Sequence, residues 1–456
     1  MRASTNVFKN EKAYPRPRRA RTAASSQRPE QHVILISIDG LRPEFYKDAS
    51  RNMVNLRQAM AEGAYADGVN GVFPTVTYPS HTSIITGVKP LKHGIFYNTP
   101  SEPTGVTGKW IWDYNTIKVP TIFSQAKLKG LTSASIYWPV SFNSPATYNF
   151  PEYWYLPAAK GAKRITNQAL KENTTPASLF EELEQNAVGK LSEDDWNDNY
   201  LTIDQNLARI SSYMIRKYKP NLLAVHLVMV DHFEHEQGRD GDKVRAAVAN
   251  VDNAVKVIRE AAMKAGIAEN TTFIVTGDHG FVDIHGNLAP NVLLVKAGLY
   301  NPEKPNEWKA YFHPCGGGAF LQLKDKNDIK TKEKVLQLLK SLPAAQQATF
   351  KIKTREEMDA IGADPTATLG LASEQGYAFT GATSGEFLRA GKGGTHGFFP
   401  DFKEIQTGFV AFGKGIKKGA VVPQMGLVDI APLISQLLKL DMPAGDGVLL
   451  GGVLGK

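Results

Sequence analysis

Short apolar runs that barely alternate recur along the chain, and several of them end on an aspartate. Val33 to Ile38 in "HVILISIDG" leads into Asp39, and residues 221–230 in "NLLAVHLVMVDHFEHEQG" lead into Asp231. "FIVTGDHGFVD" passes through Gly277 to Asp278 and His279. Runs of this length, rich in Val, Ile and Leu, suit strands buried on both faces, as in a parallel sheet covered by helices. Between them lie stretches with helical spacing. "NMVNLRQAMAEGA" offers Val54, Leu56, Ala59 and Met60 to a core and stops at Gly63, and "VPTIFSQAKLKG" is a second helix with Pro near its start. "VRAAVANVDNAVKVIREAAMKAG" spans the gap between the runs that end at Asp231 and Asp278. Strand, long helix, strand is the crossover unit of parallel sheets. "TSASIYWPV" and "GFVAFG" read as further strands, and "LVDIAPLISQLLKL" as a closing helix. The pattern predicts an α/β fold with a mostly parallel central sheet flanked by helices. In such sheets ligands bind beyond the carboxyl ends of the strands, where Asp39, Asp231 and Asp278 would all stand.

Three regions depart from this alternation. Residues 141–195, aromatic and polar, read as a loop-rich cover, and 284–390 as a small inserted α+β lobe with "AFLQLKD", "KEKVLQLLKSL" and "FKIKTREEMDAIG". Residues 1–31 carry eight Lys and Arg against Glu11 and Glu30, and so hold most of the formal net charge of +8. They lack apolar periodicity and are expected to be a disordered basic tail, with the catalytic domain over 32–450. Because the positive charge is concentrated there, nucleic acid is not the expected partner. The tail has no apolar segment of signal-peptide type, and no apolar run approaches the roughly 18–20 residues of a transmembrane helix. The single cysteine, Cys315, excludes an internal disulfide framework and a cysteine-based zinc site. Nothing in the sequence fixes an oligomeric state.

The chemistry concentrates in carboxylates, imidazoles and hydroxyls. In "GVFPTVTYPSHTSIITG", Thr75, Thr77, Ser80, Thr82 and Ser83 crowd ahead of "SIITG", read as a helix. A hydroxyl at a helix N-terminus faces free N–H groups and a favourable dipole, although N-capping is the commoner task of Ser and Thr there. A threonine hydroxyl needs a base or a metal to become a nucleophile. The metal option has a donor set: Asp39, Asp231 and Asp278, then His235 and His279, and finally His396 in "GGTHGFFPD". Carboxylates and imidazoles without thiols suit zinc, with manganese or iron as substitutes. Six such ligands are too many for one zinc ion and divide naturally between two, roughly 3.5–4 Å apart.

The ordered set "SIDG", "PTVTYPSHTSIITG", "KHGIFYN", "DHFEH", "GDHG" and "GTHG" resembles the alkaline phosphatase superfamily, and within it the nucleotide pyrophosphatase/phosphodiesterase family, over roughly residues 32–450. The resemblance implies an alkaline-phosphatase-like core and two zinc ions. One would be held by Asp39, Thr77, Asp278 and His279, the other by Asp231, His235 and His396. Thr77 matches the family's nucleophile, and Asn98 in "GIFYN" the residue that holds a non-bridging phosphoryl oxygen. The implied reaction is hydrolysis of phosphodiester or pyrophosphate bonds in a small molecule, a nucleotide foremost, through a phosphothreonine intermediate. The alternatives on this scaffold are a phosphonate hydrolase and a phosphomonoesterase.

The family usually shows "TFPNH" at the nucleophile, where this chain has Tyr78 and Ser80. An aromatic at the Tyr78 position commonly packs against the substrate's leaving group, so Tyr78 is expected to bind substrate. Tyr97, Trp138, Trp154 and Tyr155 are further positions for a base. "DKND" at 325–328 lacks the Gly and distal Glu of a calcium loop. His226, inside an apolar run, is expected to be a core residue, and His81 and His93 to brace loops. The resemblance also implies export to the periplasm or the cell exterior.

Overall fold

A computed structural model describes residues 31–105, 107–157, 163–196, 201–304 and 306–455. Apart from Gln31, the tail expected over 1–31 lies outside the described residues. The main sheet has eight strands: β1 (His32–Ile38), β2 (Ala64–Ala66), β3 (Ser133–Ile136), β4 (Tyr148–Phe150), β5 (Leu222–Leu227), β6 (Thr271–Thr276), β7 (Phe409–Gly413) and β8 (Ala420–Val422). Their order is β8-β2-β7-β6-β1-β5-β3-β4. β1 pairs in parallel with both β5 and β6, as the crossover pattern requires. β7 runs antiparallel to β6 and β2, so the sheet is mixed at that edge.

The helices that position the site are α1 (Val54–Glu62), α2 (Thr77–Thr86), α3 (Thr202–Tyr218), α4 (Met229–Gln237), α5 (Asp242–Lys264) and α6 (Ile430–Leu438). β1 explains why its run does not alternate. Ile34, Ile36 and Ile38 join one apolar cluster with Leu207 and Ile210 of α3 and Val244, Val251 and Ile258 of α5. Val33 and Leu35 join another with Ile84 and Ile85 of α2 and Leu433 and Ile434 of α6. Both faces of the strand are thus covered, and only apolar side chains are cheap on either.

Two details of the sequence pattern resolve differently. The apolar run 221–230 is not one strand: β5 stops at Leu227, and Met229 and Val230 open α4. The buried carboxylate of Asp204 in α3 accepts the N–H groups of Val228 and Met229 at 2.7 and 3.2 Å, which turns the chain out of the sheet. Asp231 therefore stands in the first turn of a helix rather than at a strand end. Val54, expected in the core, is 64% exposed at the first position of α1, while Leu56 and Ala59 face inward.

Residues 310–315, 318–323, 350–353 and 369–373 form a separate four-stranded antiparallel sheet. Phe312, Leu321 and Leu371 of this sheet pack with Val335 and Leu339 of the helix Ile329–Lys340. Asp328, in the "DKND" stretch, caps that helix by accepting the Thr331 N–H at 2.9 Å. Among the described residues no helix is long and apolar enough to cross a membrane.

Ile36, fully buried at the centre of the sheet, offers a check on this packing. Ile36→Ala should lower unfolding stability by about 2–5 kcal/mol through lost burial and the cavity left behind. Val54→Ala at the exposed start of α1 should stay within about 0.5 kcal/mol of the parent. Urea denaturation compares the two, and equal effects would mean that the faces of the sheet and of α1 are misassigned.

Candidate metal centre

Asp39 follows directly on β1, and its N–H donates to Leu227 O at the end of the neighbouring β5 (2.9 Å). Asp278 and His279 follow β6 after Gly277, where an added Cβ would lie 2.2 Å from Thr407 Oγ1 and 2.7 Å from Leu41 Cβ. Only glycine lets the chain leave the sheet there. Asp278 Oδ1 accepts the N–H of Gly40 (3.1 Å) and of His279 (3.0 Å), so the two strand-end turns are tied together through one carboxylate oxygen. Asp231 and His235 are four residues apart, and α4 puts them on one face. His396 arrives from the loop after residues 394–395, which pair with 282–283 beyond β6.

These side chains meet. His279 Nε2 lies 3.3 Å from Asp39 Oδ1 and 3.2 Å from Asp278 Oδ2. Asp231 Oδ1 lies 3.5 Å from both His235 Nε2 and His396 Nε2. Two donor groups result, Asp39 with Asp278 and His279, and Asp231 with His279 and His396. His279 stands between them, its ring stacked on His396 with centroids 3.7 Å apart. The division implied by the resemblance put His279 with one group alone, whereas it joins both.

A fit to cations rests on how these donors are presented. His235, His279 and His396 each direct Nδ1 at a backbone carbonyl, of Gly394 (3.0 Å), Gly280 (3.1 Å) and Thr75 (3.0 Å) respectively. An Nδ1–H that donates to a carbonyl leaves Nε2 as a lone pair, the form in which histidine ligates a metal. Asp39 Oδ1, Asp231 Oδ1, Asp278 Oδ2 and His279 Nε2 are all buried without a hydrogen-bond partner among the described residues. Ligands bonded at about 2.0–2.1 Å to a tetrahedral ion stand about 3.3–3.4 Å from one another, which matches these separations. The donor set fits divalent cations held by nitrogen and oxygen.

Electrostatics point the same way. Burial, and then the charges of Asp278 and Asp231, hold the Asp39 carboxyl well above the usual carboxylate range. Burial first, with Asp231 adding, pushes Asp278 up to about 7. Burial and then the neighbouring His396 hold His279 well below the ordinary imidazole range, and burial lowers His396 to about 4. Carboxylates that resist ionisation beside imidazoles that resist protonation form a cluster short of positive charge.

Thr77 opens α2, six residues ahead of the helix read from the sequence. Every residue of α2 is buried, and no hydroxyl caps it: Val76 is the N-cap. Thr82 and Thr86 instead donate to Tyr78 O (2.8 Å) and Thr82 O (2.7 Å) within the helix. Thr77 Oγ1 has no hydrogen-bond partner among the described residues, while its carbonyl lies 2.9 Å from His81 Nδ1, which also stands 3.6 Å from Asp278 Oδ2. Asn98 Oδ1 accepts the Tyr78 N–H at 2.8 Å. This fixes the amide and leaves Nδ2 as a donor with no acceptor among the described residues.

Other expectations are corrected. Tyr78 is fully buried, its hydroxyl donates to Glu152 Oε1 (3.1 Å) and its ring meets Trp110 edge-on at 5.1 Å, so no ring face is left for a substrate. Trp138 is fully buried against His81, and Tyr97 donates to Asp364 Oδ2 at 2.7 Å. Trp154 is buried, whereas Tyr155 is half-buried with its hydroxyl donating to Glu172 Oε2 at 2.7 Å, which leaves that expectation standing. His93 does brace a turn, through Ser83 Oγ (3.0 Å) and the Ile95 N–H (3.1 Å). His81 sits in α2 rather than in a loop. His226 is not a bystander of the core: its Nε2 lies 3.1 Å from Asp39 Oδ2 and its Nδ1 3.4 Å from Glu152 Oε2. Burial would lower His226, but the bonds to Asp39 and Glu152 outweigh it and raise the imidazole to about 10. No spacing in the sequence signals this role. It follows from the β1–β5 register, which sets His226 beside Ser37, two residues before Asp39.

The sequence pattern of the type I phosphodiesterase / nucleotide pyrophosphatase family matches residues 33–399. Mouse ectonucleotide pyrophosphatase/phosphodiesterase family member 7 is 22% identical over 436 residues, covering 93% of this chain and 87% of that protein. The Xenopus laevis bis(5'-adenosyl)-triphosphatase is 21% identical over 433 residues, covering 91% of this chain and 80% of that protein. Among solved structures, murine ectonucleotide pyrophosphatase/phosphodiesterase 5 superposes with a TM-score of 0.66 at 19% identity, over 93% of this chain and all of that one. An inactive threonine-to-alanine form of the same murine protein, in complex with AMP, superposes with a TM-score of 0.63.

The charge balance of the centre predicts opposite responses to one substitution. Metal at 100 times its Kd should stabilise the wild-type chain by about 2.7 kcal/mol. Asp278→Asn removes a buried like charge, so the chelator-treated variant should melt above chelator-treated wild type, yet gain less than wild type when metal is restored. Thermal unfolding with and without chelator reads both effects. An undiminished metal gain in the variant would remove Asp278 from the ligand set.

Proposed function

The chain belongs to the type I phosphodiesterase / nucleotide pyrophosphatase family, and from that premise we propose that it hydrolyses phosphodiester or pyrophosphate bonds of nucleotides through a phosphothreonine at Thr77. It is a metal-dependent hydrolase of phosphodiester bonds by family. The finer reading assigns two zinc ions, one to Asp39, Thr77, Asp278 and His279 and one to Asp231, His235 and His396. When bound, such a pair supplies the positive charge that makes a hydroxyl nucleophilic at neutral pH and offsets charge on the phosphoryl oxygens. Manganese or iron are the substitutes that the same donors would accept.

The steps rest on the chain's own groups. Thr77 Oγ1, at the N-terminus of α2, forms a bond to phosphorus while the bond to the leaving alcohol or phosphate breaks, and the proton that Thr77 loses ends, through solvent, on that leaving group. The helix N-terminus favours the anion at that position. Asn98, its amide oriented by the Tyr78 N–H, presents Nδ2 to a non-bridging oxygen as charge develops there. In the second half a water molecule attacks the phosphothreonine, regenerating the hydroxyl and releasing a phosphomonoester. His396 and His81 support the nucleophile from behind, since their Nδ1 atoms lie 3.0 and 2.9 Å from the carbonyls of Thr75 and Thr77. In this reading 32–450 is the catalytic domain, with 141–195 its cover and 284–390 an inserted lobe. The observation that carries the proposal is the unengaged Thr77 hydroxyl at the start of a helix, on a segment held by His396 of the donor cluster through the Thr75 carbonyl and by His81, 3.6 Å from Asp278 Oδ2, through the Thr77 carbonyl.

A nucleotide is the substrate class we favour, since relatives are pyrophosphatases of nucleotides and a structural neighbour is in complex with AMP. Initial rates with p-nitrophenyl thymidine monophosphate, p-nitrophenyl phosphate and phosphonoacetate separate the diesterase from a monoesterase and a phosphonate hydrolase, with the first expected to be fastest by far.

Thr77→Ala should abolish turnover of the diester while the metals stay bound. Near-normal activity of that variant would discard the nucleophile. His396→Ala should lose about one metal per chain, because Asp231 and His235 alone are too few for a zinc site, and should remain folded with most diesterase activity gone. Metal analysis by mass spectrometry alongside circular dichroism tests this, and retention of both metals would exclude His396 as a ligand.

A further inference from the structure

Resting on the metal-dependent reading above, we propose that His226 is a positioning residue for Asp39, held in turn by Glu152 and Tyr78, so that one buried chain of side chains links the metal centre to the start of the nucleophile helix. β5 reads Leu-Leu-Ala-Val-His-Leu, and every other residue of it is apolar. An imidazole in such a strand, with Asp39 and Glu152 also buried, is costly unless the groups satisfy one another. They are paired in sequence, by hydrogen bonds at Asp39 and Tyr78 and by a longer ion-pair contact between His226 and Glu152. His226 Nε2 lies 3.1 Å from Asp39 Oδ2, which leaves only Oδ1 facing His279 Nε2 at 3.3 Å. Its Nδ1 lies 3.4 Å from Glu152 Oε2. Glu152 Oε1 accepts the Tyr78 hydroxyl at 3.1 Å, and the Tyr78 N–H in turn donates to Asn98 Oδ1 at 2.8 Å.

The chain therefore runs from Asp39 through His226, Glu152 and Tyr78 to Asn98 and the residue next to Thr77. Its effect is geometric. A carboxylate free to rotate could offer either oxygen or both to a cation, whereas a donor fixed at Oδ2 holds Oδ1 toward the site. The His81 ring packs against His226 with centroids 4.3 Å apart and keeps the imidazole from swinging. Side chains that orient metal ligands in this way typically alter metal affinity by ~10–100-fold when removed.

The test measures zinc affinity by competition with a chromophoric chelator, zinc content by mass spectrometry and folding by circular dichroism in the full chain. His226→Leu should weaken one of the two bound zinc ions by ~10–100-fold and leave the other unchanged. His226→Gln, which keeps a donor, should recover part of that loss. Tyr78→Phe, which retains the ring packing but frees Glu152, should give a smaller loss at the same ion. A general loss of structure would weaken both ions together, so selectivity for one ion distinguishes positioning from folding. A folded His226→Leu with both affinities unchanged overturns the proposal. Should that variant fail to fold, Glu152→Gln and Tyr78→Phe decide: unchanged affinities in both overturn it, and a selective loss in either supports it. Wild-type protein that binds no zinc would instead sink the metal-dependent reading itself.

Discussion

Three carboxylates converge where the central strands end, with the His226 imidazole against Asp39 as a buried counter-charge. Asp39 and Asp278 are buried beneath the turns that follow β1 and β6, and Asp231 stands at the mouth of the same space. Placing like charges together in a low dielectric is unfavourable unless protons or cations are shared among them, and the raised Asp39 and Asp278 show that pressure. The fold accepts this arrangement at a specific place, the carboxyl edge of a mostly parallel sheet, where the strand ends are rigid and the loops are free to vary. The apolar clusters on both faces of β1 hold that edge in position, since the strands could not shift without opening them.

The imidazoles show how completely the surrounding backbone is organised around this constraint. His235, His279 and His396 come from a helix, a strand-end turn and a distant loop, yet each has its Nδ1 on a main-chain carbonyl. One of those carbonyls belongs to Thr75, and another carbonyl of the same segment, that of Thr77, lies on His81. The same contacts that orient ligands thus anchor the segment that carries the hydroxyl. The His396 contact to the Thr75 carbonyl thus ties one member of the donor cluster to the segment that carries Thr77. A buried pair also holds α4: Arg42 Nε lies 2.7 Å from Glu234 Oε1, between Asp231 and His235 in sequence.

Much of this was legible in the chain before any coordinates. Uniformly apolar runs announce strands covered on both sides, the long amphipathic stretch before Asp278 announces a crossover helix, and Asp-His after a strand announces two donors that meet in the cluster. Local pattern failed where long-range contacts decide the outcome. The end of β5 depends on Asp204, which caps α4 from a different helix, and no property of residues 221–230 reveals it. Tyr78 reads as an aromatic free to meet a substrate, but its orientation is set by Glu152, seventy-odd residues away in the chain. His226 reads as a core residue because its neighbour Asp39 is brought to it by strand register alone. In each of these three cases the deciding partner comes from another element of the fold and leaves no mark on the local pattern.

The account turns on a pair of cations shared by these carboxylates and imidazoles. Crystals of the full chain grown with zinc, measured on both sides of the zinc absorption edge, address it directly. The expected result is two anomalous peaks roughly 3.5–4 Å apart, one bounded by Asp39 and Asp278 with Thr77 beside it, the other by Asp231, His235 and His396. A single peak, or none with the same side chains in place, would contradict the two-ion centre.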